Sequence, residues 1–578
     1  AYTAGTFFGQ LNPMVPIRVQ AAYGGAAQTL FTGFAQGWPT AYEVSNTDAV
    51  TTLSCTDATQ ILASQLLPVK YEKVVGEDAG LALYFPLQET GTDGVNVALW
   101  DSTNSYAFWL SQEHTADLVN QVAPVQPGKG FRVDSAYNAT GTHAKGLDDL
   151  LIRGDTAGFQ RYNPFFNAPL KTLEFWLYGV DADRWDTFTN EGVVRVENED
   201  GTLNREMYIS CEVRDDGDAY RFSYYTDTVG HSAIVTGITL MEDSANHIVI
   251  TATATNAQMY VNGVLQYDQP FNDTYQTYGS SGQNTQFQIF PYVNRLGHVA
   301  AYYETFDAAK VTDHYDAGYG YIGDRTDERL TRTLDDAGWP TVWRDLQTGV
   351  QTVGAYRAAG VEPSSYMQEV DNAEQGKVFV NRAGHVEMLN RDTMQGTNIV
   401  ASFDDSNVDL PFADVVVNAH NISAITNSVT AKYRFGAVER TDTASIAAYG
   451  IQNQNVNVGL IDDANDATAI ADTIIATKKD PRTIVKQLNI NVRADVAGLV
   501  PAMSGLELGD DITVSFTPTG VGDPLWRAVT VQGLTHTITR DGWRSQLYLG
   551  AGSIDVNGAL LVLNDDTYGR LDEGNKLG

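Results

Sequence analysis

The side chains of this sequence most able to do chemistry are carboxylates, imidazoles and aromatic rings, and few of them stand at the spacings a mechanism demands. Glycoside hydrolysis needs two carboxyl groups at a set separation, one to protonate the leaving oxygen and one to attack or to activate water. Glu174, Glu197 and Glu199 are candidates, yet Glu197-Asn198-Glu199-Asp200-Gly201 reads as a turn, and acids are so abundant that their presence discriminates nothing. His385-Val386-Glu387 is the nearest metal-like cluster, but it falls on a strand beside a turn and reads more simply as a hairpin side-chain pair. Gly318-Tyr319-Gly320-Tyr321-Ile322-Gly323 satisfies G-x-G-x-x-G, whereas a dinucleotide site also needs a preceding buried strand and a following helix. Asp313-His314-Tyr315-Asp316 is no such strand, so the glycines read as a flexible linker. H-E-x-x-H, G-x-S-x-G and G-x-x-x-x-G-K-S/T are all absent from the sequence, and no cofactor is expected.

The run Tyr267 to Tyr278 pairs aromatic faces with polar side chains, the combination that sugar recognition requires. Phe271, Asn272, Asp273, Tyr275 and Tyr278 are its glycan-binding candidates, and Asp268 or Asp273 offers oxygen ligands to Ca²⁺. The plainer reading is a surface loop, or an interface with a neighbouring protein.

The whole chain bounds these readings. Its 578 residues imply roughly four domains at about 150 residues each. Hydrophobic residues at 43% against 19% charged supply packed cores. Lys plus Arg total 37 against 71 Asp plus Glu, and the formal charge of -34 disfavours stable nucleic-acid binding. Cys55 and Cys211 fall in different expected domains, so a disulfide framework is not expected. No run of about 18 apolar residues offers a membrane span. Ala1-Tyr2-Thr3-Ala4-Gly5 has neither a basic nor an apolar leader region, and the chain seems to open inside a β-rich unit, with N-terminal strands expected to be missing or removed.

Apolar periodicity then places the elements. Val15 to Ala21 and Leu30 to Phe34 flank a Gly-Gly turn as a hairpin, and Asp57 caps a short helix through Ile61, Leu62 and Leu66 that Pro68 closes. Between about Gly80 and Gly318 helical periodicity almost vanishes and short alternating strands recur: Leu81 to Leu87, Leu173 to Tyr178, Tyr220 to Tyr225, His247 to Thr253, and Met259 to Val264 with an Asn262-Gly263 turn. Helices return after Gly323. Leu330 and Leu334 mark one that ends at Gly338 and Pro340, and Ser364 or Ser365 caps another reaching Ala373. A hairpin joins Val378-Phe379-Val380 to His385 through Met388. Further on, Asp462 and Asp463 open a helix over Ala464 to Thr477 that Lys478, Lys479 and Pro481 close.

Two resemblances rest on these residues. Leu506 to Gly550, LELGDDITVSFTPTGVGDPLWRAVTVQGLTHTITRDGWRSQLYLG, resembles the closing barrel of bacteriophage baseplate hub and tail-associated (minor tail) proteins of siphophages. KVFVNRAGHVEMLNRD, SFDDSNVDLPFADV, NSVTAKY and AAYGIQ are similar to that family's middle, and LNPMVPIRVQAAYGGAAQTLFTGFAQGWPTAYE with LSCTDATQILA to its first barrel. The block between resembles concanavalin-like lectin domains of the laminin-G type: LALYFPLQE, LEFWLYG, HIVITATATNAQMYVNGVLQYD, and GHVAAYYETFDAAKVTDHYDAG as the closing strand with its His314-Tyr315 signature.

The expected fold is mainly β with some α/β, hub β-barrels interrupted by an inserted β-sandwich (jelly roll). The expected segments are 1-78 (first barrel), 79-320 (sandwich), 321-400 (mixed α/β), 401-555 (second barrel with one helix) and 556-578 (polar tail). The resemblance implies a structural, non-enzymatic hub subunit at the virion tail tip. It also implies a homotrimer, with the distal tail ring, tape-measure and central tip or fibre proteins as neighbours, and a sandwich projecting toward host envelope glycan. A tail-associated glycan-degrading enzyme and a free secreted lectin are the alternatives. If the loop binds glycan, the Tyr275→Ala, Tyr278→Ala double variant should assemble normally yet adsorb more weakly. Each stacked ring contributes on the order of 1 kcal/mol, multiplied by avidity. Unchanged adsorption by intact particles eliminates the loop.

Overall fold

The computed structural model describes residues 12–42, 49–85, 171–178, 245–253, 255–270, 295–356, 358–395, 399–406, 408–418, 422–481, 484–518 and 524–551, together with strands between 98 and 289 named below. Sheets dominate it, and the chain divides into two compact units. Unit 1 is Ala1–Leu67, Gly323–Gly354 and Gly360–Gly578; unit 2 is Pro68–Ile322 and Ala355–Ala359. No helix among the described residues is long and apolar enough to cross a membrane.

In unit 1 the hairpin Pro16–Tyr23 and Ala26–Gly37 turns on Gly24 and Gly25, both at positive φ. A seven-stranded sheet runs in the order Leu410–Pro411, Ile399–Asp404, Asp511–Phe516, Leu525–Thr539, Gly542–Ala551, Ile484–Asn491, Asp414–Asn418. Its core gathers Phe403, Leu488, Leu499, Met503, Val514, Val531 and Leu547. Among the described residues no sheet closes, which corrects the expected barrels. Even so, this sheet must curl: its two edge strands are separated in sequence only by Phe412 and Ala413, so those edges approach within ~11 Å. Closure fails because one edge is a two-residue strand ending in Pro411, which has no N–H to donate.

The helices of unit 1 follow their caps. Asp57 accepts from the Thr59 N–H at the head of Ala58–Leu62, and Asp463 accepts from Asn465 N–H at the head of Ala464–Lys478. Thr326–Asp336 buries Leu330 and Leu334. The helix placed after Ser364 or Ser365 starts earlier, at Pro363–Glu374, because proline is pre-set for a first helical position where no N–H is needed.

Unit 2 is a β-sandwich. One six-stranded antiparallel sheet runs Val264–Pro270, Asn256–Val261, Ala245–Ala252, Thr172–Tyr178, Arg295–Tyr302, Leu81–Phe85. The other runs Asn204–Ile209, Val194–Glu199, Asn284–Ile289, Leu151–Arg153, Ala107–Leu110, Ala98–Trp100, with Glu212–Val213, Ala219–Thr226 and Val229–Thr236 forming a third, smaller sheet. The Asn262-Gly263 turn has both residues at positive φ, the conformation that a two-residue hairpin needs.

The first sheet is buried on both faces: Leu173 and Phe175 point one way, Glu174 and Trp176 the other, and all four are out of solvent. Two helices cover the second face, a leading helix Lys70–Gly76 and a closing helix Ala308–Tyr319. The closing helix corrects two expectations, the near-absence of helix before Gly323 and a closing strand through His314. The strand ends at Tyr302; Asp307 then accepts from the Lys310 N–H as an N-cap, and Gly320 ends the helix at φ 86. The G-x-G-x-x-G run is therefore a helix end rather than a flexible linker. Gly318 lies against the Trp176 indole, where an added Cβ would fall 2.1 Å from Cζ2.

That contact sets a prediction. Gly318→Ala gains at most ~1 kcal/mol of helix propensity, whereas overpacking a buried ring costs ~1–3 kcal/mol, so net destabilisation of unit 2 is expected in denaturant titration. Gly76→Ala, whose Cβ meets nothing within 4 Å, should be neutral or slightly stabilising.

Candidate functional site

Among the described residues of unit 2, a dense cluster of ionisable side chains lies beneath the two helices, centred on Glu174. Strand alternation turns this acid out of the sheet, and cross-strand pairing sets its neighbours. Glu174 stands opposite Val249 and Ala300, Trp176 opposite His247, and Ala300 opposite Tyr84, all on one face. Glu174 is 0% exposed.

Four side chains from four elements meet its carboxylate. Oε1 accepts from the Tyr71 hydroxyl of the leading helix at 2.7 Å and from His247 Nε2 at 2.6 Å. Oε2 accepts from the Tyr302 hydroxyl at 2.5 Å and from His314 Nδ1 of the closing helix at 3.0 Å. His314 Nε2 lies 3.6 Å from Asp78, whose carboxylate also sits 2.7 Å from Lys310 Nζ. Lys310 pairs with Glu304 as well. Farther along the sheet the Tyr84 hydroxyl and His298 Nδ1 are hydrogen-bonded at 2.6 Å.

Protonation follows from burial and charge. Burial pushes Glu174 up, but the His314 charge and the hydrogen bonds from His247 and His314 together outweigh it and hold the acid well below its usual range. Burial pulls His314 down, yet the Glu174 charge and hydrogen bond, with Asp78, leave it raised. Burial wins at His247, which is lowered despite Glu174, so its 2.6 Å contact is a neutral imidazole N–H donating to a carboxylate rather than an ion pair. Burial lowers His298 to about 4, so it meets the Tyr84 hydroxyl as a neutral ring. Tyr71, Tyr84 and Tyr302 are raised well above 10, by burial first and then by nearby acids, and remain donors.

The centre thus favours one carboxylate paired with the His314 imidazolium, among neutral donors. Aromatic rings seal it: Trp176 lies 4.5 Å from the His247 ring, and Tyr71 meets Trp176 edge-on at 5.6 Å. No group of three His, Cys, Asp or Glu side chains among the described residues is placed to hold a metal ion.

The sequence-derived sites fall out as follows. Glu174 is the described member of the acid trio, and no substrate reaches it. The strand Val194–Glu199 carries Glu197 and Glu199, whose side chains lie outside the described residues. Phe271, Asn272, Asp273, Tyr275 and Tyr278 also lie outside the described residues. The start of that run is strand rather than loop, since Val264–Pro270 includes Tyr267 and Asp268. Asp268 already accepts from the amides of Asn256 and Gln258. In unit 1, His385 Nδ1 bonds to Asp345 at 2.8 Å and Glu387 accepts from Asn381, so His385 and Glu387 serve different partners.

His247, Tyr71 and Tyr302 were not legible as site residues. The signal for the closing helix was present in Asp307-Ala308-Ala309-Lys310 and in Val311, His314, Tyr315 and Gly318 at helical spacing.

Residues 159–288 match the family described as Concanavalin A-like lectin/glucanases superfamily. The match includes Glu174 and His247; Tyr71, Tyr84, His298, Tyr302 and His314 come from outside it. No curated protein matches the chain. Among solved structures the chain is similar to a tail protein from Neisseria meningitidis MC58, at 10% identity and TM-score 0.30 over 66% of this chain and 96% of that one. It is also similar to domain 4 of AbnA, a GH43 extracellular arabinanase from Geobacillus stearothermophilus, at 11% identity and TM-score 0.24 over 41% of this chain and all of that one. A Trypanosoma rangeli sialidase matches at 11% identity and TM-score 0.25 over 53% of each chain. Likenesses at these TM-scores do not establish a shared fold.

Removing the charge at the centre should be costly. Glu174→Gln leaves the His314 imidazolium buried without its anion, and a loss of ~3–5 kcal/mol is expected in chemical denaturation of unit 2. Glu304→Gln, at a half-exposed pair, should cost ~1 kcal/mol or less.

Proposed function

We propose that this chain is a structural subunit of a phage tail tip, a baseplate hub component whose concanavalin-like domain attaches to host-envelope glycan without cleaving it. In this reading residues 1-78 and 321-555 build the hub and 79-320 are an inserted domain. The subunit is a homotrimer in contact with the distal tail ring, tape-measure and central tip or fibre proteins.

The observation that carries the binding half is the burial of Glu174. A concanavalin-like sandwich suits both glycan binding and glycan hydrolysis. Here the acid at the centre of the covered sheet is committed to four side-chain donors and sealed by helices, so it can neither protonate a glycosidic oxygen nor attack an anomeric carbon. Recognition then falls to surface aromatic and polar side chains, for which Phe271, Asn272, Asp273, Tyr275 and Tyr278 remain the candidates. The hub half is supported by the ordered motifs from Leu11 to Ala63 and from Lys377 to Gly550.

Purified particles and purified protein test the two halves together. The chain should copurify with tails, and should retain envelope glycan without releasing reducing sugar. Reproducible release of reducing sugar that persists in Glu174→Gln would establish an enzyme with its acids elsewhere in unit 2, and a chain found free of particles would replace the hub with a secreted lectin.

A further inference from the structure

We propose that the histidines around Glu174 make the helical cover of unit 2 an acid-released device: protonation below neutral pH lifts the helices Lys70–Gly76 and Ala308–Tyr319 off the aromatic face of the sheet while the strands stay paired. Each helix is hooked to the same carboxylate by one side chain, Tyr71 at 2.7 Å and His314 at 3.0 Å. Under the hooks sit two further imidazoles with no anion of their own. His247 shares Glu174 with three other donors, and His298, 2% exposed, has the Tyr84 hydroxyl and the edge of the Tyr71 ring at 5.1 Å. His298 also sits at φ 52 in a strand bulge, a left-handed conformation that a non-glycine residue holds at a cost.

The carboxylates nearest the two imidazoles already serve other cations. Glu174 and the Asp78 side chain, 0% and 4% exposed, face the His314 imidazolium and Lys310. The leading helix adds Lys70, over the Tyr321 ring, together with Glu72 and Lys73. The closing helix adds Asp313, Tyr315 and Asp316, with Glu304 and Asp307 before it. The sheet contributes the neutral Tyr84, Tyr260 and Tyr302, with Asp268 near Tyr260. A proton on His298 therefore creates a buried cation with no carboxylate in contact, and one on His247 must share Glu174 with the His314 imidazolium; opening to water relieves both.

His247 and His298 are both lowered from 6.5, His298 to about 4, and regain the ordinary value once water enters. The open form thus binds protons that the closed form refuses, and the closed form loses stability as pH falls from ~6.5 toward ~4. His314 has the opposite sense: its contribution is complete below ~6.5 and is lost only as pH rises through its raised value. Glu174, lowered, adds a loss only below the ordinary carboxylate range. The acid limb is set by His247 and His298.

Hydrogen exchange on the full chain tests this at about pH 7 and about pH 5, corrected for the intrinsic pH dependence of exchange. Protection in 70–76 and 308–319 should fall on the order of 20-fold through His298 alone. Protection in 172–178 and 245–252 should persist, with recovery on neutralisation. His298→Asn, whose side chain tolerates the left-handed backbone, should lose that share of the response. Constant helix protection, helices and strands losing protection together, or a full acid response in His298→Asn would each overturn the proposal. The wild-type comparison decides alone should the variant not fold.

Discussion

A carboxylate taken fully out of water costs several kcal/mol unless donors surround it, and unit 2 is organised around meeting that requirement at Glu174. The donors come from both helices and two strands, so satisfying one charge fixes the placement of four elements at once. The apolar contacts follow the same plan. Tyr71, Val75, Phe306, Val311 and Ala317 lie over Trp176, Val249, Tyr260, Ala300 and Tyr302, and Gly318 lets the closing helix approach the indole. Hydrophobic burial supplies the bulk of the driving force for covering this face, while the carboxylate specifies register, because only one placement of Tyr71 and His314 satisfies it.

This arrangement separates two properties that a concanavalin-like sandwich can combine. An acid that is to cleave a glycosidic bond must touch the substrate and change protonation during the reaction. Glu174 is 0% exposed with its oxygens taken by four side-chain donors, and its environment holds it ionised. Recognition by a surface depends on ring faces and oriented polar groups rather than on a tuned acid. In unit 1 the curled seven-stranded sheet, with its seam at Phe412 and Ala413, packs a core of aliphatic side chains together with Phe403, Phe516 and Trp543.

Local signals in the sequence were read where local physics decides. The Gly24-Gly25 and Asn262-Gly263 turns, the Asp57 and Asp463 caps and the Leu330/Leu334 stripe all rest on residues a few positions apart, and the structure has each of them. The candidate site was only half legible. Glu174 was one of three candidate acids with nothing to set it apart, and its partners lie 73, 103, 128 and 140 residues away in sequence, a separation nothing local indicates. The closing helix was missed for a different reason: tyrosines and a histidine gave it the composition of a strand, while its cap and its spacing of four carried the true signal. The second barrel's open edge carries a proline in a two-residue strand, a detail that no alternation pattern displays.

The state of one carboxylate tests the account most directly. Infrared difference spectra between the wild type and Glu174→Gln, recorded on the full chain from neutral to acidic pH, isolate the Glu174 carboxyl band. The account predicts an ionised carboxylate at neutral pH that persists well below the usual carboxylate range for as long as the helices stay docked. A protonated carboxyl band at neutral pH would contradict it, because a neutral acid would remove the charge that His247, His314, Tyr71 and Tyr302 converge on and with it the reason for the cluster.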